Sequence, residues 1–123
     1  MTIVDSSSWI ETLRANGDPA VRSRVANLLD AGNAAWCPMI RLELWRGVRG
    51  GDERKILELM ETRVSMLEIG GAVWELAVQL MTKARSLGLT APSADVLIVA
   101  TAQYHNARLE HCDKHMEQLI SIV

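Results

Sequence analysis

The sequence predicts an α/β protein, a three-layer α/β/α sandwich around a central, mostly parallel sheet of four or five strands. Three observations predict it. Short apolar runs alternate along the chain with longer stretches of 3.6-residue periodicity. The segments between successive runs can each hold a helical crossover, which is how parallel strands are joined. Hydrophobic residues make up 49% of the 123 and charged residues 23%, which suits one buried core and excludes disordered and fibrous classes.

The elements follow in order. Thr2–Asp5 is an apolar run ending in an acid, read as a buried first strand. Ser6-Ser7-Ser8 then supplies a serine cap for a first helix carrying Trp9, Ile10 and Leu13, stopped by Asn16-Gly17. Asp18-Pro19 starts a second helix, with Val21, Val25, Leu28 and Leu29 as its stripe and Gly32-Asn33 as its end. Ala34–Cys37 is a second strand, and Pro38 opens a third helix to about Val48. Gly50-Gly51-Asp52 recaps the chain before a fourth helix with Ile56, Leu57, Leu59 and Met60. Val64–Ile69 reads as the third strand. Ala72 to Leu87 reads as the longest helix, with Trp74, Ala77, Val78, Met81 and Ala84 inward and Gly88 as a left-handed terminator. Ser93 is placed as cap of a sixth helix, Ala94 to about His105, apolar nearly all round and so buried. Arg108–His111 is the fourth strand, Asp113 caps a last helix to Leu119, and Ser121–Val123 is offered as a fifth strand.

Composition narrows the setting. Thirteen basic against 15 acidic residues leave a net charge of −2. The most apolar stretch, Val96 to Ala102, is far too short to cross a bilayer. Met1 to Asp5 shows no basic region of a secretory signal, and two cysteines, Cys37 and Cys112, are too few for a disulfide framework. The expectation is a reduced, cytoplasmic protein without a membrane span, with residues 1–123 as one domain.

Four acids carry the chemistry. In open parallel sheets, ligands bind outside the carboxyl ends of the strands. Asp5 ends the first strand, Asp113 follows the fourth, and Asp95 lies in the first turn of the buried helix. Glu43 sits in the apolar segment Met39–Trp45 of a helix that starts at the same edge. Each has an ordinary reading: Asp95 and Asp113 would complement a helix dipole, Asp5 would cap a helix, and Glu43 would face solvent. Together these readings weaken, because acids in apolar segments stay buried only when paired or bound to metal. Two carboxylates about 5 Å apart repel by roughly 3 kcal/mol at an effective dielectric of 20. Six such pairs approach about 20 kcal/mol, above the roughly 5–15 kcal/mol that stabilises a domain. Such a cluster requires a cation, and all-oxygen donors favour Mg²⁺ or Mn²⁺.

The strings around these acids are familiar. Val4-Asp5-Ser6-Ser7-Ser8-Trp9-Ile10-Glu11 resembles a "VDTSVWIE" type of segment, and Arg41-Leu42-Glu43-Leu44-Trp45-Arg46-Gly47 a characteristic glutamate helix. Gly88-Leu89 through Pro92, with Asp95 to Ala102, matches the surroundings of a third acid. The quartet Asp5, Glu43, Asp95 and Asp113 in this order resembles the PIN-domain ribonucleases, in particular the VapC-like toxins of toxin–antitoxin systems, over nearly the whole chain. One departure is Asp113-Lys114-His115-Met116, with methionine where an aromatic is common; Met is a tolerant core filler. The resemblance implies a PIN-like fold and metal-dependent endoribonuclease activity through Asp5, Glu43, Asp95 and Asp113. It also implies a homodimer and a cognate antitoxin whose C-terminal segment threads the groove near the acids, where an Arg could pair with them.

Other residues take supporting places. Ser7 is a candidate to hydrogen-bond an acid or a water; a plain capping serine is the alternative. Phosphate contacts need local positive charge, and Arg41, Arg46, Arg49, Arg54 and Lys55 surround the glutamate helix, where they equally suit a solvated face or an acidic partner. Trp9 and Trp45 are candidate anchors for RNA or a partner, while Trp36 and Trp74 are expected in the core. His111, Cys112 and His115 form a rival zinc pattern, but no second Cys/His cluster completes a tetrahedral set. Cys37 lacks the basic neighbour a catalytic thiol needs. Two further alternatives stand beside the nuclease. A receiver-like signalling module would need paired acids at the first strand and an Asp after the third, and the run ends instead in Glu68-Ile69-Gly70. A catalytically inactive PIN fold used for binding would not need the intact quartet.

Overall fold

Four short parallel strands form the centre of the protein: β1 (Thr2–Val4), β2 (Ala34–Trp36), β3 (Ser65–Met66) and β4 (Arg108–Glu110), in the order β3-β2-β1-β4. The computed structural model describes every residue from Met1 to Val123. Ile3 of β1 stands opposite Ala35 on one side and Leu109 on the other. Ile3 and Val4 are both fully buried, the mark of a parallel strand covered on two faces. Seven helices flank the sheet: α1 (Ser6–Leu13), α2 (Pro19–Asp30), α3 (Pro38–Arg46), α4 (Gly51–Arg63), α5 (Gly71–Ser86), α6 (Ser93–Tyr104) and α7 (Lys114–Ile122). The α/β/α architecture and the parallel pairing are as the sequence predicts.

The order of the strands positions the site. From β1 the chain moves outward to β2 and β3, then returns to place β4 on the free side of β1. The reversal leaves a crevice beyond the carboxyl ends of β1 and β4, where parallel α/β sheets bind ligands. Asp5 follows β1 directly, and Asp113 lies three residues beyond β4.

Helix ends obey local chemistry. Asp5 is the N-cap of α1 and accepts from the Ser7 N–H, so an acid takes the place expected of a serine. Asp18 and Asp113 cap α2 and α7 as predicted. Ser93 does not cap α6; Pro92 precedes the helix and Ser93 is its first residue. Gly88 adopts φ +74°, and the N–H groups of Gly88 and Leu89 return to the carbonyls of Arg85 and Ala84, the paired bonds of a Schellman ending.

Three expectations change. Ser121–Val123 is not a fifth strand: Met116, Leu119 and Ile122 continue the apolar period of α7 to the end of the chain. The third strand contracts from Val64–Ile69 to Ser65–Met66, extended by one bond from the Leu67 N–H to the Trp36 carbonyl. The α5 stripe is Val73, Ala77, Leu80 and Ala84, leaving Trp74 55% exposed and Val78 exposed. Val73-Ala77-Leu80-Ala84 is the row of smaller side chains, and it allows the close α5–α6 packing that dominates this side of the molecule. Opposite it, Val96 to Ala102 of α6 is buried without interruption. No helix is long and apolar enough to cross a membrane.

Candidate active site

The site is built at the crevice from four elements. Asp5 is only 3% exposed, and its Oδ2 accepts the Ser7 hydroxyl at 2.6 Å and the Ser7 N–H at 3.2 Å. Ser7 Oγ in turn accepts the Cys112 N–H at 3.1 Å, tying the end of β1 to the segment that leads into α7. Ser7 therefore bonds an acid rather than capping the helix; Asp5 is the cap, and the Ser7 main-chain N–H is the donor it satisfies. Asp5 sits at the positive end of α1, where a carboxylate is favoured.

Glu43 projects from α3, which packs against both α1 and α6. Its Oε1 accepts the Ser6 hydroxyl at 3.3 Å. Burial pushes the Glu43 carboxyl above the ordinary glutamate range, and the charges of Asp5 and Asp95 push it further. The Ser6 bond and the Arg46 guanidinium pull it back. Asp95, in the first turn of α6, behaves alike: burial raises it, Asp113 and Asp5 add repulsion, and His115 lowers it. Glu43 is thus repelled by Asp5 and Asp95, and Asp95 by Asp113 and Asp5. Asp95, Asp113 and His115 each offer a ligand atom within 4.8 Å of the others. Partly buried carboxylates that repel suit a divalent cation bound through oxygen, and the imidazole beside them adds a donor that first-row transition ions accept.

The supporting residues sort differently. A cleft of about 750 Å³ opens beside Glu43 between α1, α3 and α4, lined on its apolar side by Ile10, Leu13 and Ile56 and on its charged side by Arg14, Arg46 and Arg49. Two of the predicted basic residues, Arg46 and Arg49, line this cleft, which of the four acids includes Glu43 alone. Arg41 points away and pairs with Glu61 of α4, as does the Trp45 indole N–H at 2.9 Å. Burial alone would raise Glu61, but the Trp45 and Arg41 bonds outweigh it and hold its carboxyl low. Arg54 and Lys55 are exposed on α4 and do not line the cleft. Trp9 is no anchor for RNA or a partner, because it is 1% exposed within the core, where its Nε1 has no hydrogen-bond partner. Trp36 is buried as expected. Burial pushes the Cys37 thiol up, which disfavours a nucleophilic thiolate.

The zinc pattern separates. His111 Nε2 lies 3.1 Å from Glu117, whereas His115 turns to Asp113. Sequence reasoning missed His115 beside the acids because it weighed the residue only with His111. The available signal was its position two residues after the cap Asp113. Glu110, also near the strand ends, lies outside the cluster, held by Arg24 at 2.7 Å and by the Ser8 hydroxyl.

Comparisons with known proteins bear on the fold and the family. The PIN domain family model matches residues 2–120. VapC ribonuclease Mb1587 of Mycobacterium bovis and ribonuclease VapC11 of Mycobacterium tuberculosis are each 30% identical over 125 residues, across 99% of this chain and 93% of theirs. Among solved structures, VapBC-1 from nontypeable Haemophilus influenzae superposes with a TM-score of 0.78 at 19% identity, covering 99% of this chain and 93% of that one. VapBC2 from Rickettsia felis, bound to a promoter DNA fragment, gives 0.77 at 13% identity, covering 95% and 91%. These two likenesses establish a shared fold, and the family match sets the receiver-like reading aside. With the family model matching residues 2–120 and relatives 30% identical across 99% of the chain, the chain belongs to the PIN domain family and, within it, to the VapC proteins.

Proposed function

We propose that the protein is a Mg²⁺- or Mn²⁺-dependent endoribonuclease, the toxin of a toxin–antitoxin pair, acting in the cytoplasm as a homodimer formed from single-domain chains. The observation that carries this reading is that Asp95 and Asp113 present ligand atoms within 4.8 Å of each other beyond the strand ends, with Asp5 closing β1 and Glu43 near enough to Asp5 and Asp95 to be raised by them. A domain holds such charges together at a cost, and a divalent cation offsets it.

Asp5, Glu43 and Asp95 are the principal metal-holding acids in this reading, and Asp113 closes the set. Held by these acids, a divalent ion would supply an activated water and charge neutralisation for hydrolysis of a phosphodiester. Ser7 fixes the Asp5 carboxylate through its bonds to Oδ2, which leaves Oδ1 oriented to take a ligand. Arg46 and Arg49 hold phosphates of the RNA strand along the cleft beside Glu43. Without an exposed aromatic platform in that cleft, RNA shape supplies the selectivity. The same cleft suits the antitoxin: Ile10, Leu13 and Ile56 receive apolar side chains of an inserted segment, and an arginine from it reaches the acids.

The test compares RNA cleavage by the wild type, Asp5→Asn and Asp95→Asn, each with Mg²⁺ and with EDTA. Cleavage by the wild type that EDTA abolishes and each variant loses supports the proposal. Metal-independent cleavage, or full activity in both variants, defeats it.

A further inference from the structure

His115 has no part in the reading above, yet its ring faces the same acids. Asp113 caps α7 by accepting the His115 main-chain N–H at 2.7 Å, and the turn carries the imidazole back over the carboxylate, Nδ1 lying 3.5 Å from Oδ1. The ring is within electrostatic reach of Asp95 as well. The other two histidines are engaged elsewhere, His111 with Glu117 and His105 with the Glu68 carbonyl at 2.8 Å.

The spacing matters. Around an octahedral ion with ligands at about 2.1 Å, neighbouring ligand atoms lie roughly 3 Å apart and opposite ones roughly 4.2 Å. The Asp95, Asp113 and His115 atoms lie within 4.8 Å of one another, close to the span of opposite ligands on one ion. The ring is half exposed, so an ion and its waters can reach it from solvent.

Resting on the reading of the acids as a divalent-cation site, we infer that His115 is a nitrogen ligand to that ion, completing a mixed set with Asp95 and Asp113. Mg²⁺ takes oxygen donors and keeps its waters, whereas imidazole donors suit first-row transition ions. His115 therefore raises the affinity of the site for Mn²⁺ while leaving its affinity for Mg²⁺ nearly unchanged. The cap of α7 does not depend on the ring, because the bond that Asp113 accepts comes from the main chain.

The experiment uses the full chain stripped of metal. Mn²⁺ binding is followed by electron paramagnetic resonance and Mg²⁺ binding by calorimetry, in the wild type, His115→Ala, His115→Gln and the control His111→Ala. Pulsed measurements read the nitrogen modulation on bound Mn²⁺. The expected result is modulation in the wild type and His111→Ala but not in either His115 variant. Mn²⁺ affinity falls about tenfold or more in both His115 variants, and Mg²⁺ affinity stays within about threefold. Modulation that persists in His115→Ala overturns the inference, as does an equal loss of affinity for both ions. A wild type that binds Mn²⁺ without nitrogen modulation overturns the role of His115 and leaves the acid site standing. A wild type that binds neither ion overturns both.

Discussion

Replacing Asp95 with Asn stabilises the protein when metal is withheld, although substitutions at partly buried positions usually destabilise. Asp95 and Asp113 present oxygens within 4.8 Å of each other. At that distance two charges repel by about 3.5 kcal/mol at an effective dielectric of 20 and about 0.9 kcal/mol in bulk water. The Asp113 side chain is 34% exposed, so solvent screening places the repulsion nearer about 1–2 kcal/mol. Asp95 also lies in the first turn of α6, and losing its charge there forfeits about 0.3–1 kcal/mol of helix-dipole stabilisation. The net gain is about 1 kcal/mol, or roughly 3–5 °C in melting temperature for a chain of this size. Scanning calorimetry in EDTA at pH 7.5 measures it, and the scan is repeated with Mn²⁺. At about a hundred times its Kd the ion adds about 2.7 kcal/mol to the wild type and much less to the variant, so the order of stabilities reverses. A variant that melts below the wild type in EDTA, or a Mn²⁺ shift equal in both proteins, refutes the reasoning.

Further predictions follow from the same geometry. Glu43 and Asp95 hold their protons more tightly in the folded protein than at their ordinary values of 4.5 and 3.8. Between those values and the raised ones the folded state binds more protons, so the stability of the metal-free protein falls as pH rises through that window. Urea titrations across pH 3.5–7 read the slope, which flattens in Glu43→Gln with Asp95→Asn. Ser7→Ala removes the 2.6 Å bond to Asp5 and the acceptor of the Cys112 N–H; a loss of about 1–3 kcal/mol in urea unfolding is expected, with cleavage down about tenfold or more. Arg46→Ala and Arg49→Ala each weaken RNA binding and reduce its salt dependence, whereas Arg41→Ala, whose side chain is spent on Glu61, changes neither. Gly88→Ala strains the φ +74° ending of α5 and costs about 1 kcal/mol, with cleavage unchanged.

Much of this was legible in the sequence because the chemistry is local. Asp18-Pro19 and Gly88 announce helix ends whatever surrounds them, and the apolar run of α6 admits no exposed face. The candidate acids stand out by position: Asp5 closes the first strand, Asp113 starts a helix after the fourth, Asp95 lies in the first turn of an apolar helix, and Glu43 interrupts the apolar segment of α3. Other features depend on which of two adequate surfaces the fold selects. In α5 the stripes beginning at Val73 and Trp74 are both amphipathic, and packing against α6 chooses the one with smaller side chains. Trp9 is buried for a similar reason, since tertiary packing covers an indole that local sequence leaves free to face either way. Arg41 and Arg46 are equivalent in composition, and the position of Glu61 on the neighbouring helix α4 separates them. Ser121–Val123 was misread because three residues cannot distinguish a strand from the last turn of a helix.

The most direct test of the account is to locate the ion. Crystals of the protein soaked in Mn²⁺ and measured for anomalous scattering give its position independently of activity. The account predicts one or two peaks at the crevice beyond β1 and β4, bonded to oxygens of Asp5, Glu43, Asp95 or Asp113 at about 2.0–2.3 Å, and none in Asp5→Asn combined with Asp95→Asn. A peak bound only at another surface, or a crevice without one at saturating Mn²⁺, contradicts it.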